Sequence, residues 1–365
     1  MKKSLIALAA LATAGFASAQ SSVTVFGVVD TAFQRVSRDA VGSDVTTNRL
    51  AAGASKTSRL GFRGVEDLGN GLKANFWLEA GISSDDGAGG STRIATNNQA
   101  TPAAVGGAGQ GLTFNRRATV GLSGSFGEVR IGRDSVVGLL TQESFDPFEA
   151  NGVGSQRQVV YANVAAVSTA ISSVRASNLI SYFSPNIAGF TADVGYALNE
   201  NASNAGVTKE NGRLITGRLS YTLGAFNAKL GGTQIDYNTG DYQEFTVGAS
   251  YDFGIVKPAL AFHSNKIKGV NKTDVIIASL TAPVGPGLIR AAYTRADQKQ
   301  GGNNDGNIFA IGYIYNLSKR TQLYTSYAVS DNKNGSTLYQ VGGSPGAAAA
   351  NGRTNGLDIG VTHAF

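Results

Sequence analysis

The sequence predicts an all-β fold, a transmembrane antiparallel β-barrel of about sixteen strands. Three observations carry the prediction. From Val23 onward, segments of roughly ten residues alternate apolar and polar positions, which is the period of a strand at the length that crosses a hydrocarbon core when tilted. Longer and shorter connections alternate between these segments, as they do when one rim of a barrel carries tight turns and the other carries loops. No later stretch approaches the ~18 continuous apolar residues of a spanning helix. The nearest, Ala162 to Val174, is interrupted by Asn163, Ser168 and Thr169.

Taken in order, Met1-Lys2-Lys3, the apolar run Leu5 to Phe16 and the small residues Ala17-Ser18-Ala19 have the three parts of a secretory signal peptide. That assigns 1–19 to export and 20–365 to one barrel domain. Ser22 to Asp30 opens the first strand, and Arg59, Gly61 and Arg63 share one face of the second, with Leu60 and Phe62 on the other. In the third, Leu72/Ala74/Phe76/Leu78/Ala80 oppose Lys73/Asn75/Trp77/Glu79. Phe190/Ala192/Val194/Tyr196/Leu198, Phe245/Val247/Ala249/Tyr251 and Phe309/Ile311/Tyr313/Tyr315/Leu317 each oppose a polar or tiny face. Leu357 to Phe365 alternates in the same way and forms the closing strand. Long loops are expected near 37–56, 83–112, 135–173, 199–213, 296–307 and 330–355, with medium ones at 236–241 and 265–271. Short turns are expected at 66–71, 125–126, 184–189, 222–225, 252–255, 282–287 and 317–320. An even strand number puts both ends of the barrel domain on one side, and a barrel of this size leaves an aqueous channel.

Composition narrows the function. Charged residues make up 15%, below the ~25% of soluble proteins. There is no cysteine, so neither a disulfide framework nor a thiolate metal site exists. Of 31 Lys and Arg, loss of Lys2 and Lys3 leaves 29 against 25 acids, a net charge of +4. The bases form no run, which argues against nucleic acid. The two histidines, His263 and His363, have no Ser/Asp constellation around them in the sequence, and no metal-ligand spacing is present. Enzyme, cofactor and metal readings therefore have no support. Gly342 to Gly352 reads as a flexible surface loop, so an adhesive role would lie in the outer loops.

The segment Ser58-Arg59-Leu60-Gly61-Phe62-Arg63-Gly64-Val65-Glu66-Asp67-Leu68-Gly69-Asn70-Gly71 resembles the second strand and first turn of Gram-negative general diffusion porins. The opening strand from Ser22, Phe114-Asn115-Arg116-Arg117-Ala118 and Phe126-Gly127 leading to Gly132-Arg133 match that family in order and spacing, most closely its β-proteobacterial branch. The resemblance implies a homotrimer of sixteen-stranded barrels in outer-membrane lipid and lipopolysaccharide. It also implies a third loop folded into each lumen, here about Asp134 to Val174, and a terminal aromatic, Phe365, read by the barrel assembly machinery.

The same resemblance places a basic wall opposite that loop, at Arg59, Arg116 and Arg175. Alternation supports Arg59 directly, and it supports Arg175 by setting Ala176, Ile180 and Tyr182 on the opposite face. At the next position alternation assigns Arg117 to the polar face instead of Arg116, and a bulge would reconcile the two. Val28 stands where a pore lysine is often found in enteric members. Asp146-Pro147-Phe148-Glu149, in an otherwise unpatterned loop, nominates Asp146 and Glu149 as the acids facing the arginines. The expected function is passive, weakly anion-selective diffusion of small hydrophilic solutes. The alternative is a channel selective for a class such as organic anions.

Overall fold

Seventeen strand segments close into one antiparallel sheet in the computed structural model, which describes residues 22–90, 111–163, 174–342 and 348–365. In chain order they are β1 (Ser22–Arg38), β2 (Val45–Ala52), β3 (Arg59–Gly69), β4 (Leu72–Gly81), β5 (Arg117–Gly124), β6 (Gly127–Ser135), β7 (Arg175–Phe183), β8 (Phe190–Ala197) and β9 (Leu214–Leu223). Then come β10 (Phe226–Ile235), β11 (Tyr242–Tyr251), β12 (Lys257–Ile267), β13 (Asn271–Val284), β14 (Gly287–Gln300), β15 (Asp305–Asn316), β16 (Thr321–Lys333) and β17 (Arg353–Ala364). Residues 1–19, expected to form a signal peptide, lie outside the described residues.

Two segments share one place in the wall. β1 pairs with β2 through Thr31↔Ala52 to Arg38↔Val45 and with β3 through Ser22↔Val65 to Val28↔Arg59. The barrel therefore has sixteen strand positions, one of them interrupted at 53–58. An excursion from the ladder strands backbone N–H groups that neither lipid nor a neighbouring strand can satisfy. The Asp30 carboxylate takes them: it accepts from the N–H of Ala54 (2.8 Å), Ser55 (3.4 Å) and Lys56 (3.0 Å), and from the Tyr324 hydroxyl (2.6 Å). Ser58 Oγ accepts from the Asp30 N–H at 2.9 Å and donates to its carbonyl at 3.0 Å.

β1 and β17 close the cylinder from Val28↔Ala364 to Arg38↔Thr354, and reciprocal Gly27–Phe365 backbone bonds of 3.0 Å add one further pair. The Phe365 ring lies over Gly27 on the outer surface, where a Cβ on residue 27 would come 2.3 Å from the ring. Tight turns join the other rim, including Asn70-Gly71, both with positive φ (53° and 79°), as a two-residue hairpin loop demands.

The expected loops near 37–56, 265–271 and 296–307 are shorter than the sequence suggested. β2 occupies 45–52, β12 and β13 run to Ile267 and from Asn271, and β14 and β15 run to Gln300 and from Asp305. Hydrogen-bonded hairpins continue beyond the apolar band, where polar residues such as Lys266, Asp297 and Lys299 hide the strand pattern.

Inward faces are not uniformly polar or tiny. Val275, Ile277, Ile308, Ala310 and Ala328 turn inward and pack with Phe145, Phe148, Val153, Val159 and Val160. Those partners belong to the connection between β6 and β7, which carries helices α1 (Val137–Glu143) and α2 (Arg157–Val160). Hydrogen bonds fasten that connection to the strands: Gly138 N–H to Thr216 Oγ1 (3.0 Å), Ser279 Oγ to the Phe145 carbonyl (2.9 Å), Asn265 Nδ2 to the Val160 carbonyl (2.7 Å) and Val153 N–H to Asp358 Oδ2 (2.8 Å). Arg290, fully buried, stacks its guanidinium 4.6 Å from the Phe148 ring centre. At the tip, Gly152 (φ +64°) lets the backbone approach so closely that a Cβ would sit 2.2 Å from the Ala54 carbonyl oxygen. The interruption of the second strand position is thus the seat on which the loop tip rests.

Candidate functional site

Arg59 stands at the first residue of β3, just after the seat for the loop tip. Two strands on, Arg116 precedes β5, and its N–H donates to the Glu79 carbonyl at 3.1 Å. Arg175 begins β7 and donates from Nε to the Arg116 carbonyl at 2.9 Å. The three guanidinium groups line one cavity of about 440 Å³ together with Lys56, Arg157, Glu143 and Glu149. Glu79 supports them from the wall: it pairs with Arg116 at 2.5 Å, lies 4.0 Å from Arg59 and accepts the Trp77 indole N–H at 3.1 Å.

Arg116 and Arg117 both face inward, at different levels. Arg117 pairs across to Glu79 in the ladder and so belongs to the inner face by alternation. Its guanidinium lies 3.5 Å from Asp134 and 4.7 Å from the Trp77 ring centre, away from the cavity. Arg116 sits just outside the regular strand, where alternation no longer governs its direction, and reaches the cavity beside Glu79.

The parity that separated Arg175 from Ala176, Ile180 and Tyr182 does not hold along the whole segment. Asn178 has φ +56°, and the register with β6 jumps from Gly132↔Leu179 to Asp134↔Ala176. A bulge adds a residue and reverses the alternation beyond it. Ala176 is consequently buried inside with Val136 and Leu179, not outside with Ile180.

Of the two nominated acids, Glu149 lines the cavity and pairs with Lys56. Asp146 does not face the arginines. Its carboxylate is buried within the loop and accepts the N–H groups of Phe148 (2.9 Å), Ala150 (3.2 Å) and Gln156 (2.9 Å). Burial pushes its pKa up to about 6 despite those bonds. It holds the loop turn instead of meeting the lumen, because Pro147 and the positive φ of Glu149 and Ala150 fold the chain back around it. The second acid of the cavity is Glu143, at the end of α1 and 4.0 Å from Arg157. Glu79, Lys56 and Arg157 also escaped the sequence argument. Glu79 alone had a usable signal, its place on the polar face of its strand.

Burial raises the Glu143 pKa above the usual carboxylate range, outweighing the nearby Arg157, Arg175 and Arg116. A raised carboxylate is charged above its folded pKa and loses that charge earlier as pH falls. The cavity should therefore become more positive as pH falls, and anion preference should rise at a higher pH than an ordinary glutamate would give. Zero-current potentials measured against pH check this. Glu143→Gln should already show raised anion preference at pH 7, with a flatter pH response, and an unchanged pH profile in that variant would remove Glu143 from the field.

A model of the Gram-negative porin family matches residues 4–335. The chain is 42% identical to outer membrane porin protein 32 of Delftia acidovorans over the whole of both sequences. It is 33% identical to an outer membrane porin of Bordetella pertussis, covering 90% of this chain and 94% of that one. The chain is a Gram-negative porin. The solved structure of an anion-selective porin from Comamonas acidovorans superposes with a TM-score of 0.80 at 39% identity, covering 94% of this porin and 100% of that chain. Like its relatives, the porin is an outer-membrane protein, and the family is one of passive channels and not of enzymes. His263 is buried between Thr246 Oγ1 (2.8 Å) and Asn265 Nδ2 (3.2 Å), a structural role.

Proposed function

We propose that this porin is a general diffusion channel for small hydrophilic solutes, weakly anion-selective, with the cavity below the third loop as its constriction. The observation that carries the reading is the convergence of Arg59, Arg116 and Arg175, with Lys56 and Arg157, on a space that two loop carboxylates also line. With Glu79 included, five cations face three carboxylates. Low-dielectric walls focus such an excess along the path of an ion. The anion-selective relative from Comamonas acidovorans adds to the case. Zero-current potential in a KCl gradient tests it: the expected sign favours chloride, more strongly in dilute salt, because the Debye length falls from ~10 Å at 0.1 M to ~3 Å at 1 M. Potassium preference in dilute salt would overturn it.

The proposal includes a signal peptide over 1–19, a homotrimer in lipid and lipopolysaccharide, and recognition of Phe365 by the assembly machinery. An asymmetry of the outer surface supports the trimer. Among the described residues between Val23 and Leu122 the large exposed apolar side chains are aliphatic except Phe33, whereas Tyr182, Phe190, Tyr196, Phe245, Tyr251 and others supply aromatics to later strands. Phe62 and Phe76 on that arc are half-buried. Aromatic girdles mark lipid interfaces, so the arc where exposed aromatics are sparse suits subunit packing. Mild-detergent electrophoresis should give a slow band that collapses to monomer on boiling, and a monomer by light scattering after gentle extraction would refute the trimer.

A further inference from the structure

Below the constriction, the inner wall carries a second cationic level built on aromatic rings. Along β3 the inward positions are Arg59, Gly61 and Arg63, so Arg63 lies about 13 Å from Arg59 toward the short-turn rim at the usual strand rise. The Phe26 ring crosses β3 between them, over Gly61, where a Cβ would come 2.3 Å from Cζ. Phe26 meets Trp77 at 4.8 Å between ring centres. The Arg63 guanidinium stands 5.3 Å from the Phe26 centre and 5.2 Å from the Trp77 centre. Arg117 stacks on the same indole, and a recess of about 420 Å³ lined by Arg63, Trp77, Arg117, Glu128 and Arg130 opens beside it.

The neighbouring arginines are committed: Arg117 to Asp134, and Arg130 to Glu128 (2.8 Å) and Asp134 (3.3 Å). Arg63 is exposed and, among the described residues, has no carboxylate or hydrogen-bond partner, only the two rings. An uncommitted guanidinium offers two parallel N–H donors to a carboxylate, which accepts both. Rings that hold it in place also present apolar surface to whatever the carboxylate is attached to.

We propose that Arg63, Phe26 and Trp77 form a binding station for small aromatic carboxylates on the short-turn side of the constriction. The carboxylate pairs with Arg63 and the arene lies against Phe26 and the Trp77–guanidinium stack. An aliphatic acid of the same charge gains only the first contact. The station rests on the open lumen of the proposed channel but not on its anion preference.

Benzoate and acetate, compared as sodium salts in dilute KCl, provide the test. Added from the short-turn side, benzoate should reduce single-channel current at a several-fold lower concentration than acetate. In Trp77→Leu and Phe26→Leu that ratio should fall toward one, and in Arg63→Gln both acids should lose potency. In Arg59→Ser the ratio should stay as in the wild type. Trp77 is the only tryptophan of the chain, so its emission in the folded, detergent-solubilised protein reports occupancy without any mutation. A saturable change with benzoate, absent with acetate, is expected there. Equal potency of the two acids in a conducting wild-type channel, or emission that does not saturate, overturns the station. The chloride-preference measurement is unaffected by either result, so failure here is distinguishable from failure of the channel reading.

Discussion

In a KCl gradient, the Arg59→Ser, Arg175→Ser double variant should lose most of the anion preference of the wild type. Its zero-current potential should move toward zero. A unit charge about 7 Å from an ion is worth roughly 0.6 kcal/mol in bulk water, and more between low-dielectric walls. Two such charges change the energy of an anion by about 1.2 kcal/mol, roughly eightfold in its occupancy, and that of a cation by as much in the opposite sense, before salt screening. The remaining balance makes the sign plain: Lys56, Arg116 and Arg157 would face Glu79, Glu143 and Glu149, a neutral set. Both substitutions shorten lumen-facing side chains at segment ends, so the ladder keeps its register, and heat-modifiability gives the control for folding. An unchanged potential in a well-folded double variant would show that selectivity is set elsewhere along the channel.

Deletion of Phe365 should sharply lower the amount of folded protein in the outer membrane while leaving the conductance of surviving channels unchanged. The residue makes two backbone hydrogen bonds of 3.0 Å with Gly27, at the last pair that seals β17 to β1. Each group left unpaired at a lipid-facing seam costs several kcal/mol. The ring points outward, away from the constriction, and so has no route to the pore field. Gly27→Val tests the same seam from the other side, since its side chain would need the space the Phe365 ring occupies and would press on the Arg59 carbonyl, 2.8 Å from the added Cβ. It should also reduce yield, though less than the deletion. Wild-type levels of folded protein in both variants would show that the seam closes without this pair.

Much of the wall was legible because alternation is a local property. The inward placement of Arg59, Trp77 and Glu79 follows from counting residues along one strand, and each holds in the structure. Counting fails where one residue is added without changing the composition. The bulge at Asn178 leaves the sequence pattern looking regular and yet turns Ala176 inward. Arg116 escapes the count in another way: it lies one residue outside its strand, so its direction is set by Glu79.

The loop acids show the larger limit. Asp146 and Glu149 are equivalent in the sequence, two carboxylates flanking Pro-Phe. Asp146 is turned inward by three backbone N–H groups of its own loop, while Glu149 is drawn out by Lys56 from the interrupted second strand position. The sequence by itself determined the barrel, its size and most of its inner wall, because a two-residue period and a membrane's thickness leave few other solutions. Only the tertiary structure decided which charges share the narrow cavity. That depends on where residues 136–163 come to rest, on contacts with Ala54, Thr216, Asn265, Ser279 and Asp358 that lie far away in the chain and have no local signature.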